Sequence, residues 1–85
     1  MTTQETKIVE EFINTLNDQC RWMSNLYENE SVASRRLKIS VATSTMKMGF
    51  ISGLCATIKA CNLDLHIVDI DKAITDAMIE KLKTL

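Results

Sequence analysis

Residues 31–62, SVASRRLKISVATSTMKMGFISGLCATIKACN, decide how this chain folds. The stretch contains no proline, and its polar and apolar residues recur at helical spacing, so it reads as one long central helix. Placed on a wheel at about 100° per residue, it has three faces. Leu37, Val41, Met48, Ile51, Cys55 and Ile58 form a stripe with the look of a core face. Ala42, Gly49, Ser52, Gly53, Ala56 and Ala60 form a second face made almost wholly of small side chains. The third carries Arg36, Ser40, Thr43 and Lys47, then turns apolar through Phe50 and Leu54. Such a helix is expected to contact several neighbours at once.

Outward from this segment, the first helix is expected over about 3–28. Thr2 with Glu5 three residues on makes a capping box, and Thr3 is an equally good cap. Val9, Ile13, Leu16, Cys20, Met23 and Tyr27 repeat at alternating spacings of four and three, widened by Ile8, Phe12, Trp22 and Leu26. Glu28–Ser31 is the polar break in which a turn fits, and Asn29 or Ser31 would cap the central helix and fold it back as a hairpin. After Asn62, Leu63, Leu65 and Ile67 alternate with polar residues too briefly for a sheet, which suggests an extended connector. A last helix over about 69–84, capped by Asp69 or Asp71, carries a narrow stripe of Ile70, Ile74, Ala77 or Met78, Leu82 and Leu85. The expected fold is a single all-α domain: a helical hairpin plus a short C-terminal helix.

Composition limits the function. A chain of 85 residues buries only about 60% of its unfolded surface, yet 46% of this one is hydrophobic. That surplus argues for a symmetric homo-oligomer with a core shared between chains. The net charge of −1 gives no global attraction to nucleic acid or to an anionic membrane, so an anion site must be a local cluster. A DNA-binding regulator would need a basic domain and more base-reading side chains. The uncharged run Met48–Ile58 has 11 residues, against roughly 20 needed to cross a bilayer. The start MTTQETKIVEE lacks the features of a signal peptide. Three cysteines, with Cys55 and Cys61 about 240° apart on one helix, read as reduced residues of a cytoplasmic protein.

Catalytic chemistry has little to build on. His66 is the lone histidine, and no Ser or Cys lies in a motif that would activate it. Cys55, Cys61 and His66 lack the paired spacing of a zinc module. Glu10 and Glu11 have no second acidic pair to complete a metal cage. No cofactor, metal or enzymatic activity is expected.

The cluster Ser34, Arg35, Arg36, Leu37, Lys38 most resembles a site. It sets three cations near the N-terminal end of the central helix, where unpaired backbone donors favour anions. Arginine forks and a lysine beside hydroxyls suit a phosphodiester, and Arg36, Ser40, Thr43 and Lys47 would prolong the line of donors. Trp22 and Tyr27, late in helix one, would lie near this end of a closed hairpin, and either ring can stack on a base. The other reading is that Arg35, Arg36 and Lys38 pair with Glu28, Glu30 or another subunit's acids while Trp22 and Tyr27 fill the core.

The basic segment SVASRRLKISVATSTMKMGF, in a chain of this size with a preceding amphipathic helix and a short terminal one, resembles the phage anti-CBASS sponge proteins of the second class in their T4-like phage version. The resemblance implies a compact helical hexamer that does no chemistry and sequesters cyclic di- and trinucleotides made by bacterial immune cyclases. It also implies an aromatic ring stacking a base, matched to Tyr27 or Trp22. Cations holding phosphates at subunit boundaries match Arg35, Arg36, Lys38 or Lys47. A small adaptor or inhibitor, binding a host protein through an apolar helix face, is the expectation from a different class.

Overall fold

A computed structural model describes residues 1–85, and they form three helices: α1 (Thr3–Leu26), α2 (Val32–Cys61) and α3 (Ile67–Lys83). There is no strand, so the all-α expectation holds. At about 1.5 Å per residue a helix of this length reaches some 45 Å, and α2, with 30 residues, accounts for the 47 Å long axis of a molecule only 20 × 17 Å across. Gly49 and Gly53 do not interrupt it. The radius of gyration is 14.2 Å, against about 12 Å for a compact chain of this length.

Each helix end has a local cause. Thr2 and Glu5 form the capping box at the start of α1: the Glu5 N–H donates to Thr2 Oγ1 at 3.2 Å and the Thr2 N–H to Glu5 Oε1 at 2.8 Å. Ser31 caps α2 by accepting from the Ser34 N–H at 3.2 Å. α2 ends where Asn62 turns left-handed at φ 51°, ψ 49°, a conformation asparagine tolerates better than most residues. The Leu63 N–H then returns to the Ile58 carbonyl at 3.1 Å.

The start of α3 differs from the sequence reading. The helix begins at Ile67, two residues before the expected one, with His66 as an N-cap whose side chain makes no capping bond, and Asp69 lies in the first turn rather than capping it. The reason is a partner distant in sequence. Glu5 Oε2 accepts the His66 backbone N–H at 2.6 Å and faces His66 Nδ1 at 3.0 Å, which fixes the chain direction into α3. One buried carboxylate thus closes the N-terminal ends of both α1 and α3.

The core is built mostly by α1 and α3: Val9, Phe12, Leu16, Cys20 and Met23 from the first, Ile70, Ile74 and Met78 from the second. Phe12 rather than Ile13 is fully buried, tilted at 45° against Phe50 of α2 with ring centroids 4.9 Å apart. α2 contributes only Ile39 and Thr43 as buried side chains, with Ala42, Met46, Phe50, Ile51 and Leu54 packed beside them. The expected core stripe of α2 is therefore corrected. Leu37, Val41 and Met48 are 67%, 60% and 68% exposed, while Ile39 is wholly buried. The helix has rotated to place the row through Ile39, Thr43 and Phe50 inward. That row meets two flanking helices, whereas in the Leu37 row only Ile51 packs against the core and Met48 merely borders α3.

Thr2 and His66 hold the Glu5 carboxyl down to about 2 by donating backbone N–H bonds to it, against an ordinary value of 4.5. A depressed carboxyl stabilises the fold fully above its unfolded value, and that stabilisation is lost as pH falls towards the folded one. Thermal midpoints are expected to drop between pH 4.5 and about 2. A Glu5→Gln variant should start lower at neutral pH and lose less over this interval. Superimposable pH curves for the two proteins would contradict the clamp.

Candidate functional site

The basic cluster divides over two sides of α2. Successive residues turn by about 100°, so Arg36 and Lys38 point some 200° apart. Lys38 turns towards the end of α1. Its Nζ lies 4.6 Å from the centroid of the Tyr27 ring and 2.6 Å from Glu30 Oε1. Ser34 Oγ donates to that same oxygen at 2.7 Å. Lys38 and Ser34 together pull the Glu30 carboxyl below its usual range. Tyr27 caps the C-terminus of α1 and is half-buried against the core.

Arg36 turns the other way, to the far end of α3, where Nε and Nη2 donate to the Leu85 carbonyl oxygen at 3.0 and 2.8 Å. Lys47 continues on this side, 3.0 Å from Asp71 Oδ1 and 3.0 Å from Thr75 Oγ1, which itself donates to Asp71 Oδ1 at 3.3 Å. A lysine on α2 is thus tied to an acid and a hydroxyl one turn apart on α3. Exposed pairs of this kind contribute about 0.2–1 kcal/mol each, so they position side chains more than they stabilise the fold.

Ser40 is half-buried between these groups, and Thr43 is buried with its hydroxyl donating to the Ile39 carbonyl at 2.8 Å. That bond spends the donor inside the helix, so Thr43 has no hydroxyl to offer an external ligand. Arg35 is half-buried and makes no ion pair. Trp22 is 60% exposed and so does not fill the core. The structure therefore brings together Tyr27, Lys38 and Glu30, and separately Lys47, Asp71 and Thr75. It does not align Arg36, Ser40, Thr43 and Lys47 as a free row of donors.

Two features escaped sequence reasoning. Asp71 and Thr75, one turn apart on α3, were the visible half of the Lys47 contact, but only the packing of α3 on α2 shows what they meet. Glu5 was legible as a capping residue. Its bonds to His66, across 61 positions of chain, were not.

A groove of about 360 Å³ runs between α2 and α3, lined by Met48, Met78, Ile79 and Leu82 together with Ser44, Lys47 and Thr75. No group of three or more His, Cys, Asp or Glu side chains is arranged to hold a metal ion. No helix is long and apolar enough to cross a membrane. The three cysteines are free, Cys20 buried and Cys61 exposed. Comparison with protein-family models, with curated proteins and with solved structures finds no match.

The exposure of Trp22 has a direct optical readout, since it is the only indole in the chain. Its emission is expected near that of solvated tryptophan, with ready quenching by acrylamide in dilute solution. Blue-shifted, protected emission at every dilution would mean that the side chain is buried.

Proposed function

We propose that this chain is a non-catalytic binding protein that sequesters cyclic di- and trinucleotides, the role implied by the resemblance of residues 31–50 to phage anti-CBASS sponge proteins. The observation that carries this reading is the charge of α2. Its 30 residues include Arg35, Arg36, Lys38, Lys47 and Lys59 and not one carboxylate. Three of those cations stand in its first two turns, near its amide-rich N-terminus, and one of them, Lys38, lies over the Tyr27 ring. Arg35 has no acid to displace. Lys38 would exchange Glu30 for a phosphate without leaving the Tyr27 ring, and a base would stack on Tyr27 or Trp22. A single chain offers these groups on an open surface, so a closed pocket needs a further copy to supply its other wall.

Exposure of Leu37, Val41 and Met48 favours a second reading, that of a helical adaptor or inhibitor that docks a host protein on its apolar face. The two readings separate on the cations. Calorimetry with cyclic dinucleotides and cyclic triadenylate is expected to give heat at micromolar ligand, and Arg35→Ala with Lys38→Ala to abolish it. Absence of heat with every ring size would end the sequestration reading. Capture of a host protein that survives both substitutions would support the adaptor.

A further inference from the structure

The outward side of α2 carries a coiled-coil seam whose exposed half, Leu37 to Met48, is left largely uncovered by the chain's own helices. Leu37, Val41, Met48, Ile51, Cys55 and Ile58, with Ser44 completing the series, follow one another at alternating spacings of four and three, the repeat that holds one helix against another over its whole length. The first half of this seam is solvent-exposed and the second half-exposed. At about 1.5 Å per residue it runs some 31 Å. It continues sideways into the groove between α2 and α3, where Met48 borders Ile79 and Leu82. The accessible surface of 5650 Å² exceeds by about a tenth the roughly 5,100 Å² of a folded monomer of this mass.

We infer that this seam is covered by the α2 seam of a second copy of the chain, running antiparallel about a two-fold axis that passes near Met48. Charge selects both the occupant and the direction. Lys38 and Lys47 flank the seam and are each held by a carboxylate of the same chain, Lys38 by Glu30 Oε1 and Lys47 by Asp71 Oδ1, while Glu30 Oε2 makes no polar contact within the chain. The unpaired cation at the seam's far end is Lys59. At its near end stands the Glu30 carboxylate, held by Ser34 and Lys38 level with residues 34–38. Lys59 and that carboxylate lie on opposite sides of Met48 at nearly equal distances along the helix, about eleven residues each way at the helical rise. An antiparallel pair brings Lys59 of each copy to Glu30 of the other. A parallel pair would set Lys59 against Lys59 and Glu30 against Glu30, so the charges oppose it. The groove beside Met48 receives apolar side chains from the second copy, as a hole receives a knob.

This inference concerns assembly alone and is tested without a nucleotide, so it stands or falls separately from the calorimetry. Sedimentation equilibrium of the full chain across a concentration series is expected to give twice the 9.6 kDa chain mass, or an even multiple of it. Met48→Glu with Val41→Glu should return the 9.6 kDa monomer with helical content unchanged, because both side chains are exposed in the single chain. Lys59→Glu and Glu30→Lys should each weaken association, and their combination should restore it. A wild-type monomer at every concentration, or a doubly substituted Met48/Val41 protein that still associates, would overturn the seam. Failure of the charge exchange to rescue would overturn the antiparallel pairing.

Discussion

A helix can turn only so much of its circumference inward against two neighbours, and in α2 that inward arc is narrow. Ile39 and Thr43 are its only fully buried side chains, flanked by Met46, Phe50 and Leu54. Most of the apolar contact is made by α1 and α3, which present one stripe each. The Glu5 carboxylate closes their N-terminal ends by accepting from Thr2 and His66 together. Because two helices supply the core and the third lies along them, α2 keeps a second apolar row in solvent. The elongated shape, the excess surface and the open groove at Met48 all follow from that arrangement.

The electrostatics have the same origin. α2 contains all five cations between Val32 and Cys61 and no acid, so the carboxylates that balance it come from its flanks. Glu30 in the preceding turn holds Lys38, and Asp71 on α3 holds Lys47. These contacts stitch α2 to its neighbours where its buried row is too thin to fix its rotation alone. They also set the conditions for an anionic ligand, which must exchange with Glu30 at Lys38 and meets no competitor at Arg35.

Much of the local structure was legible. Thr2 with Glu5, and Ser31 before the basic cluster, are capping signals whose physics is complete within four residues, and both caps form. The stripes of α1 and α3 were legible because each of those helices has a single apolar face. α2 has two, close to opposite one another: the row through Leu37, Val41 and Met48 is the more apolar, while the row through Ile39 and Thr43 includes a hydroxyl. Hydrophobicity alone points to the first. The chain buries the second because Thr43 satisfies its hydroxyl on its own helix and because Phe50 meets Phe12. The opposite directions of Arg36 and Lys38 follow from helical rotation, but their ties to Leu85 and Glu30 depend on tertiary placement. The start of α3 failed for the same reason, since a carboxylate 61 residues away sets it.

The central claim is that α2 turns its Ile39 row inward and its Leu37 row outward. Chemical denaturation of Ile39→Ala and Leu37→Ala, at a dilution where the chain is monomeric, tests it most directly. Emptying a buried isoleucine site costs about 2–5 kcal/mol, and the account predicts a loss in that range for Ile39→Ala with a change of no more than about 0.5 kcal/mol for the exposed leucine. Equal losses, or the larger loss at Leu37, would contradict it.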